Sequence, residues 1–204
     1  MLSLRGVHKS YGGTPALRPV DVELVAGELV VLTGPSGSGK STLLMIAGGW
    51  ETPDGGEVVP HPPLPDLPVE RMSWQDLGFV PQSISLFEEL TLADNLALAR
   101  GGPGGAELLE ALELGHLAER RPGEVSRGEQ QRVAVARALV ASPALVIADE
   151  PTSHQDHRRA DLVLGLLRAA ADRGAAVLIA SHDPAVVSRA DREIRLGADA
   201  VTRG

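Results

Sequence analysis

The chain has 204 residues, which suits one domain with a sizeable core, or one core with a small insertion, and argues against two domains. A formal charge of -8 argues against a nucleic-acid binder held by phosphate neutralisation, and two Trp, one Tyr and two Phe leave little aromatic surface for stacking on bases. Cysteine is absent, so disulfides and thiolate metal sites are excluded, which fits a reducing compartment.

The start Met1-Leu2-Ser3-Leu4-Arg5 lacks a signal-peptide core, and no apolar run approaches the roughly 20 residues a membrane span needs. A soluble chain without direct membrane insertion is expected. Residues 2–7 alternate weakly and predict an edge strand, followed by a turn over 9–13; residues 21–25 alternate more clearly. The turn Ala26-Gly27-Glu28 leads into a buried strand at 29–33, and a helix over 41–47 stops at Gly48-Gly49. Residues 57–59 predict a short strand. Prolines at 60, 62, 63, 65 and 68 then make a stiff, exposed connection that is neither helix nor ladder interior. Another buried strand is expected from Leu77 to a stop at Pro81-Gln82. Helices follow at 91–100, where Leu92, Leu96 and Ala99 share a face, and at 107–114. A stronger helix is expected over 129–141, with Val133, Ala136 and Val140 on one side. Next come an apolar strand at 144–148, a helix capped by Asp156, a strand at 176–180, and a helix started by Asp183 and Pro184. No internal repeat is present. Strands alternating with helices, both of them buried, imply an α/β fold with a mainly parallel sheet covered on two faces.

Between the strand at 29–33 and the helix after it stands Gly34-Pro35-Ser36-Gly37-Ser38-Gly39-Lys40-Ser41, which fits the P-loop pattern G-x-x-x-x-G-K-[ST] at every fixed position. Glycines at 34, 37 and 39 let successive N–H groups converge on one anion site with no Cβ in the way. Lys40 adds a point charge. Ser41 carries a hydroxyl able to ligate magnesium, at the positive end of a helix. A short glycine-rich turn alone is weak evidence, but strand, loop, Lys-Ser and helix in this order are specific. A second acidic site strengthens it. The strand at 144–148 ends in Asp149-Glu150, two carboxylates at the sheet's carboxyl edge, where open α/β sheets bind ligands. Asp149 suits a magnesium site; Glu150 suits the base that accepts a proton from, or orients, a water attacking a phosphoryl group. Taken by themselves, paired acids at a strand end serve equally well as caps.

These residues resemble the nucleotide-binding subunit of ATP-binding cassette (ABC) transporters over nearly the whole chain, with the motifs in that family's order. The resemblance makes Tyr11 the aromatic that stacks on adenine. It makes Gly34, Pro35, Ser36, Gly37, Ser38, Gly39, Lys40 and Ser41 the Walker A loop, with Thr42 next to it also meeting nucleotide, and Gln82 the Q-loop glutamine at the magnesium site. Val125-Ser126-Arg127-Gly128-Glu129-Gln130-Gln131 occupies the signature position, with Ser126, Gly128 and Glu129 meeting nucleotide. Asp149 with Glu150 is Walker B, Ser153-His154-Gln155-Asp156 the D-loop and His182 the switch histidine. It implies an ABC ATPase, a P-loop NTPase with an N-terminal antiparallel β portion and a helical insertion: a single domain, 1–204, in which 1–82 and 123–204 form the ATP-binding core and 83–122 a helical subdomain. It implies ATP and Mg2+ as cofactors, with catalysis by Glu150, His182 and Lys40. It also implies a head-to-tail dimer of the chain with ATP between the Walker A of one copy and the signature of the other. A transmembrane permease would dock near residues 83–96, with Phe87 as an apolar contact or simply a packed loop residue, leaving the chain cytoplasmic and peripheral to the membrane. Motif details around 33–40 and 128–132 look most like the subunits serving lipoprotein and macrolide exporters. The alternatives are an ABC-type ATPase serving as a scaffold or regulator outside transport, and another P-loop phosphotransferase.

Several residues depart from the family pattern. In the signature, Val125 replaces leucine, Arg127 the first glycine and Glu129 the glutamine. Arg127 is the large change, a long cation where bare backbone approaches phosphate. It is expected to point away or to pair with phosphate, with ATPase activity retained. His154-Gln155 stand where Ala-Leu is common; a metal pair with His157 lacks a third ligand, so two solvated histidines are expected. The helical insertion is short for the family.

Overall fold

The structure, a computed structural model, describes residues 1–197. β1 (Leu2–Tyr11) and β2 (Thr14–Leu24) form an antiparallel hairpin. β3 (Leu29–Thr33) is buried throughout and feeds the glycine-rich loop before α1 (Lys40–Ala47). β4 (Gly55–Pro60) returns to the other side of β1, giving the order β2-β1-β4. β1 is therefore the centre of its sheet, not the expected edge. Its apolar alternation is weak for two local reasons: Ser3 is buried, its Oγ 2.9 Å from His61 Nε2, and the register shifts between Leu4 and Val7. The strand also runs on to Tyr11, which narrows the expected turn to Gly12-Gly13, because Asp54 accepts from Ser10 N at 2.8 Å and pairs with Lys9 at 3.1 Å. In the proline-rich connection Leu64 and Val69 are buried, so it is pinned at two points instead of standing free.

β5 (Leu77–Val80) precedes the helical segment. α2 (Leu92–Arg100) is N-capped by Thr91, whose Oγ1 accepts from Asp94 N at 3.0 Å, and stops at Gly101 in the left-handed region. Leu92, Leu96 and Ala99 are buried on one face, as their spacing predicts. α3 (Ala106–Ala111) is shorter than expected, with Leu112 and Leu114 buried in the turn that follows. α4 (Arg127–Leu139) starts two residues before the predicted position, because Ser126 and Glu129 close a capping box. Residues 131–139 are all buried, so α4 has no solvent face over that span.

β6 (Leu145–Asp149), α5 (His157–Asp172), β7 (Ala176–Ala180) and α6 (Pro184–Val187) follow at the expected places, with Asp156 and Asp183 as caps. β8 (Arg192–Arg195) was not expected; it has one buried apolar residue, Ile194, and is held by parallel pairing with β3. The main sheet runs β5-β6-β7-β3-β8 with every pairing parallel. Its strands feed two cores. Val31, Val146 and Ile179 pack with the α2, α4 and α5 side, whereas Leu32, Ile147 and Leu178 pack with α1 and the antiparallel sheet. Successive strand residues point to opposite faces, and both faces are covered, which is why these strands read as unbroken apolar runs.

Candidate functional site

A cleft of about 780 Å³ opens at the carboxyl ends of β3 and β6. The glycine-rich loop supplies its floor through Gly34, Ser36, Gly37, Gly39, Lys40 and Ser41, with Thr42 beside them. The loop's shape demands glycine at two points. Gly34 has φ 145°, and a Cβ there would run into the carbonyl of Leu196; at Gly39, φ 95°, a Cβ would lie 2.6 Å from Ala16 O. Lys40 Nζ donates to Gly34 O at 2.8 Å and Pro35 O at 3.1 Å, so the ammonium is folded back over the loop. Ser38 N donates to Pro35 O at 3.2 Å. Ser38 Oγ is buried without a hydrogen-bond partner among the described residues. A closed loop of N–H groups, a lysine at its rim, a helix start and an unpaired buried hydroxyl together fit a phosphate chain.

The acidic wall comes from the end of β6. Asp149 is 7% exposed, and burial raises its carboxyl above the ordinary aspartate value, opposed by a hydrogen bond from the Ser41 hydroxyl. A hydroxyl and a carboxylate joined in this way, with hard oxygen donors only, fit magnesium. Glu150 follows with φ 50°, an unusual backbone for a residue with a Cβ. Three contacts hold it. Its N–H donates to Ala180 O at 2.9 Å, Ser181 Oγ donates to its Oε2 at 3.2 Å, and His182 Nδ1 lies 2.7 Å from its Oε1. That hydrogen bond raises the His182 imidazolium above its usual range. The cleft is completed by Gln82 and Ser83 beyond β5, by Ser153 and His154, and by Arg127 at the first turn of α4.

The structure thus brings together Lys40, Ser41, Thr42, Gln82, Asp149, Glu150 and His182. Pro35 and Ser38 lie within the loop's own hydrogen bonding. Tyr11 stands apart from the cleft wall, half exposed, its hydroxyl donating to Glu51 Oε2 at 2.9 Å. Ser126, Gly128 and Glu129 are not on this cleft either. Glu129 accepts from Ser126 N and Oγ, both at 2.7 Å, which holds its carboxyl below the usual range. Gly128 O accepts from Gln155 Nε2 at 2.8 Å, and Gln155 Oε1 accepts from Arg132 at 2.8 Å. Ser181 was missed from the sequence, although its place between β7 and His182 was a usable signal. Gln155, in the D-loop stretch, carries no sequence signal of its bonds to Gly128 and Arg132.

A second hollow, also about 780 Å³, lies between α1 and the segment after β5. It gathers Trp50, Trp74, Phe79 and Phe87, which are all the Trp and Phe in the chain. Trp50, Trp74 and Phe87 are 52%, 43% and 42% exposed. Arg137, reaching up from α4, donates to Ser85 O at 2.6 Å and stands 5.2 Å from the Trp74 ring centre.

Comparison with known proteins agrees with this geometry. Residues 17–153 match the family model described as ABC transporter. The lipoprotein-releasing system ATP-binding protein LolD of Paramagnetospirillum magneticum is 42% identical, over 88% of this chain and 86% of that protein. LolD of Roseobacter denitrificans is 39% identical over 97% and 96%. Among solved structures, the dimeric post-hydrolysis state of the ATP-binding cassette MJ0796 bound to ADP and Pi has a TM-score of 0.87 at 33% identity, covering 100% of this chain and 97% of that one. The chain belongs to the ABC transporter family, as one of its ATP-binding and ATP-hydrolysing cassettes.

Proposed function

We propose that this chain hydrolyses Mg-ATP in a site shared by two copies of itself and thereby powers a separate membrane permease that handles lipoproteins. The observation that carries the reading is the cleft itself, in which the phosphate loop, Asp149 and the Glu150–His182 pair face one space. The N–H groups of residues 36–41, with Lys40, Ser41 and Thr42, would hold the phosphates. Ser41, Asp149 and Gln82 would hold magnesium. Magnesium supplies charge neutralisation for the phosphoryl oxygens. Glu150, fixed through Ser181 and His182, accepts the proton of the attacking water, and His182 holds that carboxylate in line. Tyr11, exposed at the end of β1, offers its ring to adenine. Ser126, Gly128 and Glu129, at the start of α4, serve the partner copy's nucleotide; the MJ0796 cassette is dimeric in two solved structures.

Residues 1–82 and 123–204 are proposed as the ATP-binding core and 83–122 as the helical subdomain; residues 198–204 lie outside the described part. Among the described residues no helix is long and apolar enough to cross a membrane. The aromatic hollow favours docking there. A chain with so few aromatic residues exposes three large rings in one groove beside Gln82, where an apolar helix of a partner would cover them. Phe87 is one of its walls. The relatives' names favour transport, and release of lipoproteins in particular, over a scaffold or another phosphotransferase. Co-purification from detergent-extracted membranes tests this. A multi-span protein should accompany the chain and be lost with Trp74→Glu, while ATP binding persists; a purely cytosolic complex contradicts it.

A further inference from the structure

Tyr11 is the last residue of β1 and the only tyrosine of the chain. It stands beside the Gly12-Gly13 turn, where both glycines take a positive φ, and its side chain is half exposed. A strand end at such a turn has few contacts of its own to keep a ring in place. The ring is held from another element. The Tyr11 hydroxyl donates to Glu51 Oε2 at 2.9 Å, and Thr42 is the second hydrogen-bonding neighbour of that hydroxyl. Glu51 in turn is anchored twice. Its N–H donates to Met45 O at 3.2 Å, which ties it to α1, and its Oε1 lies 2.9 Å from Lys9 Nζ. Lys9 first, then Tyr11, hold its carboxyl below the usual range, so it is an ionised acceptor and the phenol is the donor. Lys9 is also gripped by Asp54 at 3.1 Å and by Thr52 O at 2.7 Å, and its ammonium stands 5.7 Å from the Tyr11 ring centre. The strand is already joined to the segment after α1 without Glu51, since Asp54 accepts from Ser10 N at 2.8 Å and its own N–H donates to His8 O at 2.9 Å. What Glu51 adds is a grip on the ring.

We propose that Glu51 is a positioning residue for the nucleotide base: it fixes the Tyr11 ring relative to α1, the helix whose first turn carries Lys40, Ser41 and Thr42, and so sets the separation between the surface that meets adenine and the loop that meets the phosphates. The inference rests on the assignment of Tyr11 to adenine made above. Both ends of the nucleotide are then referred to one helix. The base meets a ring already in place, so less freedom is lost on binding.

The test measures calorimetric binding of the magnesium complex of adenylyl imidodiphosphate to the whole chain, together with steady-state ATP turnover. Wild type, Glu51→Ala, Glu51→Gln, Tyr11→Ala and the double alanine variant are compared. E51A is expected to bind about fivefold more weakly and to raise KM, with kcat within about twofold of wild type, and E51Q, which keeps a hydrogen-bonding group opposite the phenol, recovers part of the loss. Asp54 and Thr52 O still hold Lys9 in both variants. Because Glu51 acts through the ring, E51A should add nothing to the loss that Y11A causes. With the one tyrosine isotope-labelled, its ring resonance in the nucleotide-free chain should shift in E51A. Wild-type affinity or an unmoved resonance in E51A, a fall in kcat as large as the loss of affinity, or a loss that adds in full to that of Y11A overturns the positioning role. Wild-type affinity in Y11A overturns the assignment of Tyr11 to adenine itself, so the two failures are distinguishable.

Discussion

His182 Nδ1 and Glu150 Oε1 are 2.7 Å apart, across the gap between the ends of β7 and β6. The hydrogen bond to Glu150 raises the histidine's proton affinity above its ordinary 6.5, so the charged pair is complete below that pH and is lost as pH rises through the raised value. ATP turnover is expected to show an alkaline inflection above 6.5, which His182→Ala removes along with most of the activity. A pH–rate profile of both proteins checks it. An unchanged inflection in H182A assigns the titration to another group.

Asp149 illustrates a site residue that costs stability. Burial raises its carboxyl above the ordinary 3.8, so the folded chain binds more protons than the unfolded one between those two values. Its contribution to stability therefore falls as pH rises through that window and stays unfavourable at neutral pH. Asp149→Asn is predicted to raise the nucleotide-free thermal midpoint at pH 7 and to abolish the gain in nucleotide affinity that magnesium gives. Calorimetry and binding with and without the metal check the two halves. A lower midpoint contradicts the burial argument.

Gln155 ties the loop after Glu150 to the signature, donating to Gly128 O and accepting from the buried Arg132, which also donates to Leu112 O at 3.1 Å. Gln155→Leu takes one hydrogen bond from the half-buried Gly128 carbonyl and one from the buried Arg132, at a cost of about 1–3 kcal/mol in urea unfolding. Because the start of α4 is then unanchored, kcat should fall more than KM rises. Gln155→Glu keeps a partner for Arg132 but sets a carboxylate against the Gly128 carbonyl, so it should restore stability without restoring kcat. Full recovery of kcat in Q155E removes the positioning role.

Much of this was legible in the chain, for reasons particular to each element. β3, β6 and β7 are unbroken apolar runs because both faces of the sheet are covered, and the phosphate loop has a fixed spacing that nothing tertiary can disguise. β1 reads as an edge although it is central, because a buried serine and a shift in register spoil its alternation. β8, Arg-Glu-Ile-Arg, carries almost no apolar signal and exists because β3 needs a neighbour on its open side. The start of α4 is marked by Ser126 and Glu129 at capping-box spacing, two residues ahead of the start that its apolar face suggests. The aromatic hollow and the Gln155 bridge could not be read, because their members lie far apart in the chain and meet only through folding.

The central claim, that the chain hydrolyses ATP in a site completed by a second copy, is tested most directly by Glu150→Gln. The substitution removes the base and keeps the shape, so ATP should be bound and not cleaved, with turnover lower by about 10²-fold or more. Size-exclusion chromatography with light scattering should then show a dimer that forms with Mg-ATP and not with Mg-ADP. A chain that remains monomeric with bound ATP, or that still releases phosphate at the wild-type rate, contradicts the account.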